Sequence, residues 1–291
     1  MKKKNKTGWP PPKKSLGQVM LVDADVAREI VIQAGFRLGE QVFEIGPGRG
    51  ILTKYLVDRD IDTICCEIDS RMSGLLSNRF GKCDNFRLIT EDILHLDVNQ
   101  AIPAGDFHVL GNLPYHLTSE ILFKFFKYVR DFWDAGEKPR IKSMSIMIQK
   151  EVADRLLSKP HSKLWGILPL QTALFGEVEH VVDVPADCFN PKPKVNSTVV
   201  KIIFHPGWPV KIDDYSRFTE IVRTAYGSRR KMLRNTLKLY DFPEGSGIDL
   251  QRRPEELGLQ EFAELANAAS RKVIPDNQEP TALKVEHVFK M

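Results

Sequence analysis

Five short apolar runs, separated by helix-length segments, constrain this chain more than any other feature in it. They lie at 41–45, 62–67, 86–89, 107–111 and 143–148. Runs this short read as strands, and successive strands joined by helices pair in parallel through right-handed crossovers. Two further runs, 175–182 and 198–204, have no helix-length pattern between them and are expected to form an antiparallel pair at one edge. After His205-Pro206-Gly207-Trp208-Pro209 the strand pattern stops, and helical runs near 214–240 and 260–270 take over. The predicted fold is α/β: a seven-stranded, mostly parallel sheet in a domain spanning 1–205, followed by a small all-helical domain at 206–291.

Ligands of open α/β sheets bind beyond the carboxyl ends of the strands. The first run, Val42-Phe43-Glu44-Ile45, leads into Gly46-Pro47-Gly48-Arg49-Gly50 and then the apolar-periodic Ile51-Leu52-Thr53-Lys54-Tyr55-Leu56. This reads as strand, glycine loop and helix, with glycines that let the backbone approach a ligand and leave amides at the helix start free. A dinucleotide fingerprint needs a further glycine where Ile51 stands, which disfavours a nicotinamide or flavin enzyme. The second run ends at Glu67, at the distance where a carboxylate meets ribose hydroxyls in nucleotide-binding folds. Glu91-Asp92 closes the third run and can accept from an adenine amine. Singly, each carboxylate reads more readily as a solvated strand end. Their joint placement with the glycine loop at successive strand ends points to a binding site.

The fourth run ends in Asn112-Leu113-Pro114-Tyr115, which places an amide, a backbone carbonyl and an aromatic ring together. That combination suits a flat base carrying an exocyclic amine. The amine lone pair is delocalised into the ring, so an enzyme that alkylates it must localise it. The Asn112 oxygen and the Leu113 carbonyl can accept both N–H groups, and Tyr115 can stack on the base. The proline stiffens the turn so that the acceptors need not rearrange. The plain alternative is a strand-ending turn in which Pro114 and Tyr115 only pack.

Composition narrows the setting. With 291 residues and 42% apolar content, the chain can bury one large core and a smaller module. It shows neither an apolar run of membrane-spanning length nor a signal-peptide pattern, so a cytoplasmic, membrane-independent protein is expected. The first fourteen residues hold six lysines and Trp9-Pro10-Pro11-Pro12, read as a flexible basic tail. Cys65, Cys66, Cys83 and Cys188 lack metal-ligand spacing, and no metal is expected. The net charge of +4 is too small to argue for nucleic acid, but its distribution is informative. Arg223, Arg230, Arg234 and Lys238 fall at helical spacings, with Arg229 and Lys231 alongside and almost no acidic counterweight, which suits phosphate contacts.

The chain resembles the S-adenosylmethionine-dependent rRNA adenine N6-dimethyltransferases, in particular the small-subunit branch. The likeness runs through Lys14-Ser15-Leu16-Gly17-Gln18, the glycine loop, Asn112-Leu113-Pro114-Tyr115 and Ile148-Gln149-Lys150-Glu151-Val152-Ala153-Asp154-Arg155-Leu156. It continues through Phe189-Asn190-Pro191-Lys192-Pro193-Lys194-Val195-Asn196-Ser197 and Arg229-Arg230-Lys231-Met232-Leu233-Arg234-Asn235-Thr236-Leu237. The resemblance implies a Rossmann-like methyltransferase fold and S-adenosylmethionine as methyl donor. It also implies a monomer whose substrate is small-subunit rRNA within a pre-ribosomal particle, dimethylated at two adjacent adenines near its 3′ end late in subunit biogenesis. Asn112, Leu113, Tyr115 and Phe189 would hold the target base. Leu21, Gly46, Gly48, Glu67, Asp92 and Asn112 would line the cofactor, and Arg223, Arg230, Arg234 and Lys238 would bind RNA.

The chain departs from that family at several places. Gly17-Gln18-Val19-Met20-Leu21 replaces a Gly-Gln-Asn-Phe-Leu pattern, and a lost hydrogen bond worth about 0.5–1.5 kcal/mol would weaken cofactor binding several-fold. Lys192 interrupts a double proline, Asn196 stands for an aspartate, and Pro169 stands in a segment where the family usually lacks a proline. Rival readings are a DNA adenine methyltransferase, a large-subunit rRNA methyltransferase of the erythromycin-resistance type, and a non-catalytic assembly or transcription factor that keeps the fold.

Overall fold

The computed structural model describes residues 9–243 and 247–272, so most of the lysine-rich tail, 1–8, lies outside the described residues. Seven strands form one sheet: β1 Gln41–Ile45, β2 Asp62–Cys66, β3 Phe86–Ile89, β4 Phe107–Asn112, β5 Ile141–Gln149, β6 Gly176–Val184 and β7 Ser197–Phe204, in the order β3-β2-β1-β4-β5-β7-β6. The first five are mutually parallel, and β7 runs antiparallel to both β5 and β6. The strand order reverses between β1 and β4. That reversal opens a crevice beyond the carboxyl ends of β1 and β4, the switch point where such sheets bind ligands.

The connecting helices follow from their patterning. α1, Ala24–Ala34, starts where the Asp23 side chain accepts from the Asp25 and Val26 amides, and it buries Ala27, Ile30, Val31 and Ala34, one face at helical spacing. α2 (Ile51–Val57), α3 (Ser70–Phe80) and α4 (Val98–Ala101) make the next crossovers. α5, Thr118–Asp134, buries Phe125 and Phe126 completely. Phe126 stacks on Phe175 at 4.8 Å between centroids, so the aromatics of this stretch serve the core. α6, Lys150–Leu156, follows β5, and α7, Ile167–Phe175, precedes β6. Pro169 lies in the first turn of α7, where an amide has no acceptor within the helix and its loss is harmless.

The chain divides into two compact units. One comprises 1–157 and 175–207, and the other 158–174 and 208–291. The boundary expected near 205 falls at 207, but the stretch 158–174, expected in the first domain, lies in the second unit. Hydrogen bonds explain this: the buried Trp165 indole donates to the Leu257 carbonyl at 2.9 Å, and the His161 amide donates to that of Glu255 at 2.8 Å. The second unit contains α8 (Tyr215–Tyr226), α9 (Leu233–Thr236) and α10 (Leu259–Ala268). It is not wholly helical, because Tyr240–Asp241 pairs with Ser270–Arg271. The helical run expected over 214–240 ends at Tyr226, capped by Gly227.

Candidate active site

The site is built at the carboxyl ends of β1 to β4, with the segment before α1 as its outer wall. One cavity of about 290 Å³ is lined by Gly46 and Gly48 after β1, Glu67 and Ile68 after β2, Asp92 after β3, and Asn112, Leu113 and Tyr115 at the end of β4. Ser15 to Met20 close it. The sequence-assigned cofactor and base residues therefore share one space, apart from Leu21 and Phe189. Leu21 lines a smaller adjoining cavity together with Asn112.

The three glycine amides of the loop are occupied: Gly46 donates to the Cys66 carbonyl at 2.9 Å, Gly48 to Glu67 Oε2 at 3.0 Å and Gly50 to the Pro47 carbonyl at 2.8 Å. Close approach is what the loop supplies. Gly48 has φ 55°, and a Cβ there would fall 2.9 Å from the Met20 sulfur. Glu67 is buried, with Oε1 accepting from the Asp69 amide at 2.8 Å. Burial pushes its carboxyl up, while the Asp69 and Gly48 amides pull it back. Asp92 caps its own loop by accepting from the Leu94 amide at 2.9 Å, and His95 Nδ1 lies 3.3 Å from its other oxygen.

Beneath the loop, the fully buried Glu44 accepts from Thr53 Oγ1 at 2.6 Å and Cys65 Sγ at 3.4 Å. Burial raises its carboxyl to about 7, against the opposing effect of those two donors. No motif reading singled out Glu44 for this state, because its environment comes from neighbouring elements.

At the acceptor end the Asn112 amide nitrogen donates to the Val19 carbonyl at 2.9 Å. With the nitrogen engaged, Oδ1 is the side of the amide left to accept. Leu113 is buried, its amide donating to the Met147 carbonyl at 3.2 Å, and Pro114 leaves the Leu113–Pro114 peptide without a donor. The half-buried Tyr115 hydroxyl pairs with Ser197 Oγ at 2.9 Å, and burial raises its pKa, so the ring stays neutral. Phe189 stands apart: it is 4% exposed, packs in the core with Leu21, Ala27 and Val184, and does not line the cavity. Its backbone pairs with that of Leu21.

Sequence reading missed Gln18, Asp69 and Ser197 as site-forming residues. Gln18 and Ser197 lie within motifs already noted, and Asp69 is two residues beyond Glu67. Asn196, which replaces an aspartate, accepts from the Ala186 amide through its side-chain oxygen at 3.1 Å, a role either residue can fill.

In the second unit Arg223, Arg230, Arg234 and Lys238 are all exposed but do not form one helical stripe. Arg223 is on α8, Arg230 in the turn after Gly227, Arg234 on α9 and Lys238 in the following turn. Gly227 and the 227–232 turns break the period on which the arc depended. Arg229 is committed locally, donating to the Ser162 carbonyl at 3.3 Å with Glu255 3.9 Å away. Among the described residues no ion pair is formed by Arg230, Arg234 or Lys238.

The sheet order and the cavity at its switch point define a Rossmann-like α/β protein with its ligand site at the strand ends. Comparison with known proteins narrows this class. The sequence profile described as "Ribosomal RNA adenine dimethylase" matches residues 11–263. The "Ribosomal RNA small subunit methyltransferase A" of Geobacillus thermodenitrificans is 37% identical over 274 residues, 88% of this chain and 90% of that protein. Its namesake in Oceanobacillus iheyensis is 35% identical over 271 residues, 88% and 89% of the two chains. In fold, the chain is similar to a dimethyladenosine transferase from Plasmodium falciparum (TM-score 0.68, 22% identity, 86% of this chain and 99% of that one). It is also similar to the 23S rRNA methyltransferase ErmE (TM-score 0.65, 22% identity, 86% and 98%). The chain belongs to the ribosomal RNA adenine dimethylase family and is an rRNA adenine methyltransferase. Among the described residues no helix is long and apolar enough to cross a membrane, and no cluster of His, Cys, Asp or Glu has the makings of a metal site.

Proposed function

We propose that this enzyme dimethylates N6 of two adjacent adenines near the 3′ end of small-subunit rRNA, acting in the cytoplasm as a monomer on a late pre-ribosomal particle. The observation that carries the chemistry is the Asn112 amide, pinned through its nitrogen to Val19 so that Oδ1 is left to accept beside a carboxylate-lined cavity. The small-subunit assignment rests on likeness to the Geobacillus and Oceanobacillus proteins across 88% of the chain. The ErmE likeness is one of fold and does not favour the large subunit.

The donor set fits S-adenosylmethionine. Glu67, Glu91 and Asp92 line the cavity, and among its described residues there is no lysine or arginine, which suits a cationic ligand and opposes a phosphate-bearing one. Glu67 would meet the ribose, Asp92 the adenine amine, and the backbone at Gly46 and Gly48 the methionine part, with Leu21 supporting the acceptor end. When bound, the cofactor supplies a methyl group on positively charged sulfur. Asn112 Oδ1 and the Leu113 carbonyl accept hydrogen bonds from the N6 amine of the target adenine, from two N–H groups before the first methyl and from one before the second. This draws the lone pair out of ring conjugation and meets the positive charge that develops on nitrogen, and the N6 proton that each methyl displaces leaves to solvent. Tyr115, held by Ser197, presents a face for the base. The base must leave its stack to enter, so a loop or single-stranded adenine is the natural substrate. Phe189 can serve as a second face only if its side chain turns out of the core. The exposed Arg223, Arg230, Arg234 and Lys238 are assigned to RNA phosphates.

Radiolabelled methyl transfer tests this reading. Label is expected in small subunits lacking the modification, at two neighbouring adenines, and not in large subunits. Labelling of large-subunit rRNA alone, or of neither, would overturn it.

A further inference from the structure

The segment 13–21 is fastened at two ends and crosses the cavity between them. At its start, the Lys13 amide donates to Gln18 Oε1 at 2.7 Å, and Gln18 Nε2 donates to Asp69 Oδ2 at 3.2 Å. The Asp69 side chain is fully buried and also receives the Arg71 Nε at 2.9 Å and the Arg71 amide at 3.2 Å, with the Lys13 ammonium 3.6 Å away. Arg71 holds this carboxyl well below the usual carboxylate range, so it stays charged. At the far end Met20 and Leu21 pair with Asn190 and Phe189. Between these anchors, Gly17 adopts φ 61° so close to His116 that a Cβ would fall 2.7 Å from the imidazole, and Val19 offers its carbonyl to Asn112. The part of the tail reading that covers Lys13 is thereby corrected: Lys13 is engaged with Gln18 and Asp69.

We propose that Gln18 and Asp69 form a latch that positions the Asn112 amide. Neither touches the reacting atoms in this assignment; both are positioning residues acting through the Val19 carbonyl. The latch ties the cofactor half of the cavity, where Asp69 follows Glu67, to the acceptor half, and it makes the Val19 contribution a backbone one. An amide that loses its nitrogen partner can flip or swing and present a donor where an acceptor is needed. The inference rests on the proposed role of Asn112.

Two measurements on the full chain test it. In Gln18→Ala, a change at a half-exposed residue outside the core, kcat for methyl transfer is expected to fall about tenfold with KM for RNA little changed, the scale on which lost positioning acts. Asp69→Ala, which removes the oxygen that accepts from Gln18 Nε2, is expected to lower kcat at least as far, and the double variant to be no slower than the slower single one, because both changes break the Gln18–Asp69 link. Independently, the Asn112 side-chain NH2 resonances of isotope-labelled protein, assigned with Asn112→Ala, should move in Gln18→Ala as the bond to Val19 weakens. Unmoved amide resonances, kcat within twofold of the parent, or multiplying losses in the double variant would overturn the latch. If the parent protein transferred no methyl to rRNA, the proposed reaction would fail, while the amide resonances would still decide whether the latch exists.

Discussion

The cavity at the strand ends and the basic surface at 223–238 are both rich in polar side chains, yet they are organised in opposite ways. In the cavity each key polar group has a partner: Asn112 with Val19, Tyr115 with Ser197, Glu67 with Gly48 and Asp69, Asp92 with Leu94. Arg230, Arg234 and Lys238 are exposed and, among the described residues, make no ion pair. A fixed partner sets direction, which chemistry on an amine requires. Phosphates need only charge within reach, so a set of cations spread over a helix, a turn and a second short helix can still serve. Damage should therefore show as lost rate in one region and as lost salt dependence in the other.

The sharpest way to break this contrast is Asn112→Ala. Methyl transfer is expected to fall at least about a hundredfold with RNA affinity little altered, the range seen when one preorganised polar group is removed. Retention of more than half the activity would remove Asn112 from the acceptor role. Glu67→Ala comes next. Calorimetry should show S-adenosylmethionine binding weakened by about 1.5–3 kcal/mol, the scale of a hydrogen bond to a charged group. Because Glu67 also ties down Gly48, some of that loss would come from a loosened loop, and unchanged affinity would leave Glu67 a structural strand end.

Glu44 offers a test by pH. Its carboxyl rises from 4.5 to about 7 on folding, so the folded chain holds a proton that the unfolded chain releases across this window. Stability should thus fall as pH rises through the window, by no more than about 1.4 kcal/mol per pH unit. Denaturant melts should show this slope, and Glu44→Gln should flatten it; a slope equal in both proteins would place its origin elsewhere.

On the basic surface, replacing Arg230 and Arg234 together by alanine should make log affinity for RNA less steep against log salt by about one to two units. Cofactor affinity and melting temperature should hold. An unchanged slope would take both residues off the RNA-binding surface. The smallest effect is expected from Val19→Asn. The site uses the Val19 carbonyl and the side chain packs beside the core, so cofactor affinity should change by less than about threefold, within the net worth of one hydrogen bond. A larger gain would show that the departure from the family pattern costs a side-chain contact after all.

Sequence by itself determined the sheet, the seven strands and the residues standing at their carboxyl ends. Strand period, glycine spacing and turn chemistry are local, and a parallel sheet with crossover helices allows few arrangements of them. Gly46, Gly48, Glu67, Asp92 and Asn112 were legible for that reason. The basic stripe was misread for the same reason, since one glycine ends α8 and resets the period. Only the tertiary structure decided that 158–174 joins the second unit, that the Gly46, Gly48 and Gly50 amides are occupied, that Phe189 packs inward, and which way Asn112 points. Asn112 is fixed by a carbonyl 93 residues earlier and Tyr115 by a hydroxyl 82 residues later. A hydrogen bond depends on distance and direction between atoms that no sequence period brings together, so it becomes visible only once the chain has folded.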